Sequence, residues 1–161
     1  MASVQFRFVG VERRKFYRTV GSDWADTALE TGPSFNGGGR FNPPGLFGAL
    51  YFSENQNIAV REWLREREAE EAEPHVTFTF EITLDKVINL KASDDIGVVE
   101  WRSGGYHKPQ EIAVEAYHAG SEGILYHSAK TQDEVENLVI FPANVLNSAA
   151  IKILHKSHSH H

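Results

Sequence analysis

A chain of 161 residues with 16 Lys and Arg against 22 Asp and Glu carries a formal net charge of −6 and contains no Cys. That length is one domain, and 41% hydrophobic residues, with 10 Phe, 5 Tyr and 3 Trp, suffice for one core, which excludes disorder as the main state. Disulfides, thiolate metal sites and a Cys nucleophile are excluded, and the acidic balance argues against life on nucleic acid or an anionic membrane, although a local basic pocket is compatible with it.

The start, Met1 to Arg7, lacks the basic and apolar stretches of a secretory signal. The longest apolar run, Leu46 to Phe52, spans seven residues, where a membrane-crossing helix needs about 20. A cytoplasmic protein is expected. Phe6 and Phe8 alternate with Gln5 and Arg7 over Val4 to Val9, and Lys15 to Thr19 forms a second β-like run, so two opening strands are predicted, with Arg18 in the second. From Thr31 to Gly48 the chain holds six Gly and three Pro. This reads as a long loop, and such loops inside a compact domain are usually functional. An apolar strand, Ala49 to Phe52, follows at once.

Ser53-Glu54-Asn55-Gln56 has the pattern of a capping box and predicts a helix from about Glu54 to Glu71, its Glu- and Arg-rich second half a solvated face ended by Pro74. Val76, Phe78, Phe80 and Ile82 alternate with polar residues as a half-buried strand, with Lys86 to Leu90 as a shorter one. Asp94 to His107 is irregular. Pro109 suits the opening of a helix through about Ala119, and Gly123 to His127, Asn137 to Phe141 and Ala150 to Leu154 read as strands. Residues 1–154 form the domain. The tail 155–161 holds four of the eight His and reads as tag-derived, while His75, His107 and His118 lack metal-ligand spacing, so no metal site is expected.

Three glycines before an Arg, Gly37-Gly38-Gly39-Arg40, let backbone N–H groups and a guanidinium approach an anion such as phosphate. The segment is neither a P-loop nor the dinucleotide fingerprint, which has Gly where Asn42 stands, and a Gly-rich turn with a surface Arg is the plainer alternative. Glu62 is the one acid of its helix that helical spacing sets beside Ile58 and Ala59 on the apolar side. It faces either a substrate or a structural ion pair with a loop Arg. On its strand Tyr51 shares a face with Ser53, opposite Leu50 and Phe52, so it meets a cleft if the Leu/Phe face is core; a core Tyr with a satisfied hydroxyl is otherwise the usual fate of such a residue. Ser128 stands at a strand end, where polar residues often touch ligands. No Gly-x-Ser-x-Gly elbow surrounds it, and His127 points away from it in an extended chain, so a serine nucleophile is not supported.

Tyr17-Arg18, Gly38-Gly39-Arg40-Phe41-Asn42-Pro43-Pro44-Gly45, Tyr51-Phe52-Ser53, Ala59-x-x-Glu62, Gly123-Ile124-Leu125-Tyr126-x-Ser128 and Asn137 to Phe141 together resemble the RES domain, named for an Arg, a Glu and a Ser. The set runs in order over most of the chain, with eleven-residue steps from Arg40 to Tyr51 and from Tyr51 to Glu62. The family usually has Trp where Phe41 stands, and about Leu84 to Lys108 gives little to align.

The resemblance implies a single α+β domain similar to ADP-ribosyltransferases, with mostly antiparallel sheets and flanking helices around a nucleotide cleft. It implies a toxin of a bacterial toxin–antitoxin pair that consumes NAD⁺ as substrate, with no cofactor, by splitting the nicotinamide–ribose bond. Carried onto this chain, Arg18 and Arg40, with Gly38 and Gly39, grip the dinucleotide, Tyr51 packs on the nicotinamide side, and Glu62 and Ser128 line the ribose. The implied partner is a helix-turn-helix antitoxin, with no nucleic-acid or membrane contact and room for a homo-oligomer. The acceptor of the ADP-ribose, whether water, phosphate or a protein side chain, stays open, as does a non-catalytic nucleotide- or partner-binding domain.

Overall fold

In the computed structural model, which describes residues 6–67, 74–90, 107–127 and 135–159, the alternation after His75 becomes a fifteen-residue strand, β3 (His75–Asn89). Val76, Phe78, Phe80 and Ile82 face one way and are buried. Along its whole length β3 pairs antiparallel with β1 (Phe8–Gly21), which sets Phe16 opposite Phe80 and Val20 opposite Val76. The two opening strands expected from the sequence are thus one. Register shifts between Val9 and Arg14, with Arg13 at φ 49°, break the two-residue alternation in a continuous strand.

After a 3₁₀ turn at Ser22–Thr27 comes a six-residue helix, α1 (Gly32–Gly37), where a loop was expected, and the remaining turns lead to β2 (Leu50–Ser53). Helix α2 (Gln56–Arg67) follows. Its cap is Asn55, whose Oδ1 accepts the Ile58 N–H at 3.1 Å, and not the predicted Ser53, whose Oγ accepts the Asn55 N–H at 3.2 Å. The predicted last residues of this helix and most of the irregular stretch before His107 lie outside the described residues. Helix α3 (His107–His118) and strands β4 (Gly123–His127) and β5 (Glu136–Ile140) stand close to their expected places. Strand β6 (Ile151–His158) runs past residue 154 into the His-rich tail, pairing with β3 as far as His158 opposite Val76.

The sheet closes on itself. β1 pairs β2, β2 pairs β5, β5 pairs β4, β4 pairs β3 and β3 returns to β1, a five-stranded barrel with β6 added on β3. All pairings are antiparallel except β3–β4, so the expected antiparallel α+β domain becomes one mixed, closed sheet. Leu50, Phe52, Leu125, Leu138 and Ile140 fill the barrel with the inward residues of β1 and β3. Phe52 meets Phe80 edge to face at 5.2 Å. A second apolar layer covers the outside of β2, β5 and β4, where α3 contributes Ile112, Ala113 and Ala116 over Ile124 and Val139. Arg14 ties β1 to β5 through Glu136 at 2.8 Å and to Glu54 at 3.4 Å. No helix among the described residues is long and apolar enough to cross a membrane.

Candidate functional site

The barrel has a weak seam. β1 and β2 pair at one position, Tyr17 opposite Ser53. Arg18 bridges the parted strands, its Nε donating to the Ala28 carbonyl at 2.9 Å and its Nη1 to the Tyr51 carbonyl at 3.2 Å. A strand carbonyl thus accepts from a guanidinium, which holds positive charge at the seam. The resulting pocket is lined by Tyr17, Arg18, Tyr51, Ser53, Glu62 and Trp63, among others. Leu50 and Phe52 lie in the core, so Tyr51 and Ser53 face outward as the alternation predicts.

Glu62 comes to this pocket from α2. Ile58, Ala59 and Trp63 are buried, which turns the same helix face, and Glu62 with it, toward the barrel. Its Oε1 accepts a hydrogen bond from Asn137 Nδ2 at 3.0 Å. Register explains the meeting, because Asn137 of β5 lies between Ser53 of β2 and Tyr126 of β4, with all three side chains on the outer face. Burial, then the nearby charge of Glu62, pushes the Tyr126 phenol well above its ordinary range, while Arg40 and a hydrogen bond with Asn137 act the other way. Tyr126 is therefore a neutral phenol at physiological pH, set beside the carboxylate.

The glycine loop serves a different purpose from the expected backbone cradle. Gly38, at φ 71°, donates its N–H to the Ser34 carbonyl at 2.8 Å, and Gly39 donates to the Asn42 carbonyl at 2.9 Å, so both groups bond within the loop. Tyr51 holds the turn between them, accepting the Phe41 N–H at 2.9 Å and donating to Asn42 Oδ1 at 2.6 Å. Asn42 is buried and bonds onward to the Ser34 and Phe47 carbonyls. What the loop presents is Arg40, half-buried and close enough to Tyr126 to act on its ionisation.

A Cβ on Gly39 would lie 2.6 Å from the Tyr51 hydroxyl oxygen and 2.9 Å from Asn42 Oδ1. Gly39→Ala is therefore expected to break this junction and to lower stability by about 1–3 kcal/mol, read as a melting temperature several degrees below the parent's. An unchanged melting temperature would mean that the loop can move aside.

The structure thus brings Arg18, Tyr51 and Glu62 to one pocket at the seam and sets Arg40 close enough to Tyr126 to act on its ionisation, whereas Ser128 lies outside the described residues. Two neighbours were not singled out as site residues in the sequence, Asn137 and Tyr126. Both sit in apolar strands and look like core residues until the register between β4 and β5 is known.

Fold and site define a small α+β domain with a polar pocket at the seam of a closed barrel. A family model described as the RES domain matches residues 15–158, and the chain belongs to the RES-domain family. Its fold is similar to a chain in the crystal structure of the M.tuberculosis MbcT-MbcA toxin-antitoxin complex, with a TM-score of 0.76 and 19% identity over 91% of this chain and 84% of that one. No curated protein matches the chain.

Proposed function

We propose that the protein is the toxin of a toxin–antitoxin pair and that it depletes NAD⁺ by splitting the nicotinamide–ribose bond, on a scaffold of the ADP-ribosyltransferase type. The observation that carries this reading is one carboxylate, Glu62, fixed by an amide in a pocket that it shares with Arg18 and Tyr51, while Arg40 and Glu62 both act on the Tyr126 phenol. Membership of the RES-domain family supports it, as does likeness in fold to a chain from a toxin–antitoxin complex.

Cleavage breaks the C–N bond with its electron pair leaving on nicotinamide, which neutralises the pyridinium and leaves positive charge on the ribose. A fixed carboxylate gains most where that charge is greatest, so Glu62 stabilises the transition state more than bound substrate. Arg40 holds the pyrophosphate and Arg18 adds positive charge from the seam, which is positioning rather than bond-breaking. Tyr51 packs against the nicotinamide end while its hydroxyl keeps the Arg40 turn in place. The resemblance assigns Ser128 to the ribose side as well. An acceptor lone pair then closes on the ribose carbon.

An unrestrained enzyme of this kind is lethal, so a cognate helix-turn-helix antitoxin is part of the proposal, and a carboxylate-bearing tail reaching Arg18 and Arg40 is its simplest means of inhibition. Expression of the protein alone is expected to stop growth and drain cellular NAD⁺, and co-expression of the antitoxin to reverse both. Soluble, folded protein that leaves growth and NAD⁺ unchanged would overturn the toxin reading. An antitoxin complex that binds NAD⁺ as well as the free protein does would overturn cleft blockage.

A further inference from the structure

Asn137 is 2% exposed, in a strand where Leu138, Val139 and Ile140 follow it and Glu136 precedes it. A buried amide there is unfavourable unless its polar atoms find partners. Its Nδ2 reaches across 75 residues of sequence to Glu62 Oε1 at 3.0 Å, while its Oδ1 has no hydrogen-bond partner among the described residues. Asn42 shows what a structural amide looks like in this fold, with hydrogen bonds at both ends. Asn137 instead holds a carboxylate, with the Tyr126 phenol hydrogen-bonded beside it.

We infer that Asn137 is a positioning residue, which locks the flexible Glu62 side chain of α2 onto the barrel wall in the orientation that the reaction needs. The inference rests on the NAD⁺-cleaving reading of the pocket. A glutamate has three rotatable bonds, and displacement of a reacting group by about 1 Å can lower the rate about 10²-fold. The strand supplies the rigid point, since Asn137 is flanked in register by Ser53 and Tyr126.

Two variants test this in purified protein supplied with NAD⁺, with nicotinamide release as the readout. Asn137→Ala is expected to lower kcat about 10²-fold with KM within about threefold of the parent's, because positioning of the carboxylate matters in the transition state. Asn137→Asp keeps the shape and makes the effect depend on pH. Two carboxyls in one site share a proton, and burial places it on residue 137, where the protonated group can still donate to Glu62. Once both are ionised they repel, and Glu62 is released.

The titratable and charged groups facing this pair are Tyr126 from β4, Tyr51 from β2, Arg40 from the glycine loop, and Tyr17 and Arg18 of β1 across the pocket. Glu136 faces away, toward Arg14. The ratio of Asn137→Asp to parent kcat should therefore fall about tenfold or more between about pH 5.5 and about pH 8.5.

A pH-independent ratio, or a folded Asn137→Ala variant with kcat within about twofold of the parent's, would overturn the inference. If Asn137→Ala does not fold, the ratio alone decides. An Asn137→Asp variant that is unfolded even near pH 5.5 would also count against it, since the protonated side chain offers the same donor in the same shape. A parent that releases no nicotinamide removes the NAD⁺ reading and this inference together. A working parent with insensitive Asn137 variants removes the inference alone.

Discussion

Glu62→Gln is expected to reduce nicotinamide release by about 10²–10³-fold or more while leaving NAD⁺ binding within a few fold of the parent's. The substitution is nearly isosteric, and the amide oxygen of Gln can still accept the hydrogen bond that Asn137 Nδ2 gives to Oε1, so the helix face built on Ile58, Ala59 and Trp63 should stay where it is. In the proposed reaction, what disappears is a negative charge beside the ribose, which is needed most when that ring is cationic. Melting temperature, NAD⁺ titration and rate together separate chemistry from folding. A rate within a few fold of the parent's would remove Glu62 from the reaction.

Arg40→Ala should have the opposite signature, with NAD⁺ binding weaker by about 10–100-fold as a charge-assisted, bidentate-capable contact is lost. The turn that carries Arg40 is held by neighbouring groups, the Gly39–Asn42 backbone pair and the Tyr51 hydroxyl, so the fold should survive. Arg18→Ala is a less clean comparison, because that guanidinium also satisfies the Ala28 and Tyr51 carbonyls. Arg40→Ala binding NAD⁺ as tightly as the parent would mean that the glycine loop does not hold phosphate.

Local pattern carries some of this molecule and long-range pairing carries the rest. The alternation from Val76 to Ile82 was legible because one face of β3 fills the barrel, and the helical position of Glu62 because Ile58 and Ala59 mark the buried side. β1 was not legible as one strand, since its bulges shift the alternation around Arg13. A Gly- and Pro-rich sequence gives no helical period, so α1 and the tight turn at Gly39 were hidden in what looked like loop.

The glycines illustrate the limit at the site. Composition showed that a backbone could come close to something there, but the neighbour of Gly39 is the Tyr51 hydroxyl. Closure of the barrel through β1–β3 and the parallel β3–β4 pair leaves no local mark, and neither does the register that sets Asn137 beside Tyr126 and within reach of Glu62.

The most direct measurement is the fate of NAD⁺ incubated with the purified protein, with and without inorganic phosphate, alongside Glu62→Gln. Stoichiometric release of nicotinamide by the parent, and its loss in Glu62→Gln, is the predicted result. The second product distinguishes water, phosphate and protein side chain as acceptor. NAD⁺ bound tightly by folded protein and recovered intact would contradict cleavage and leave a nucleotide-binding domain in its place.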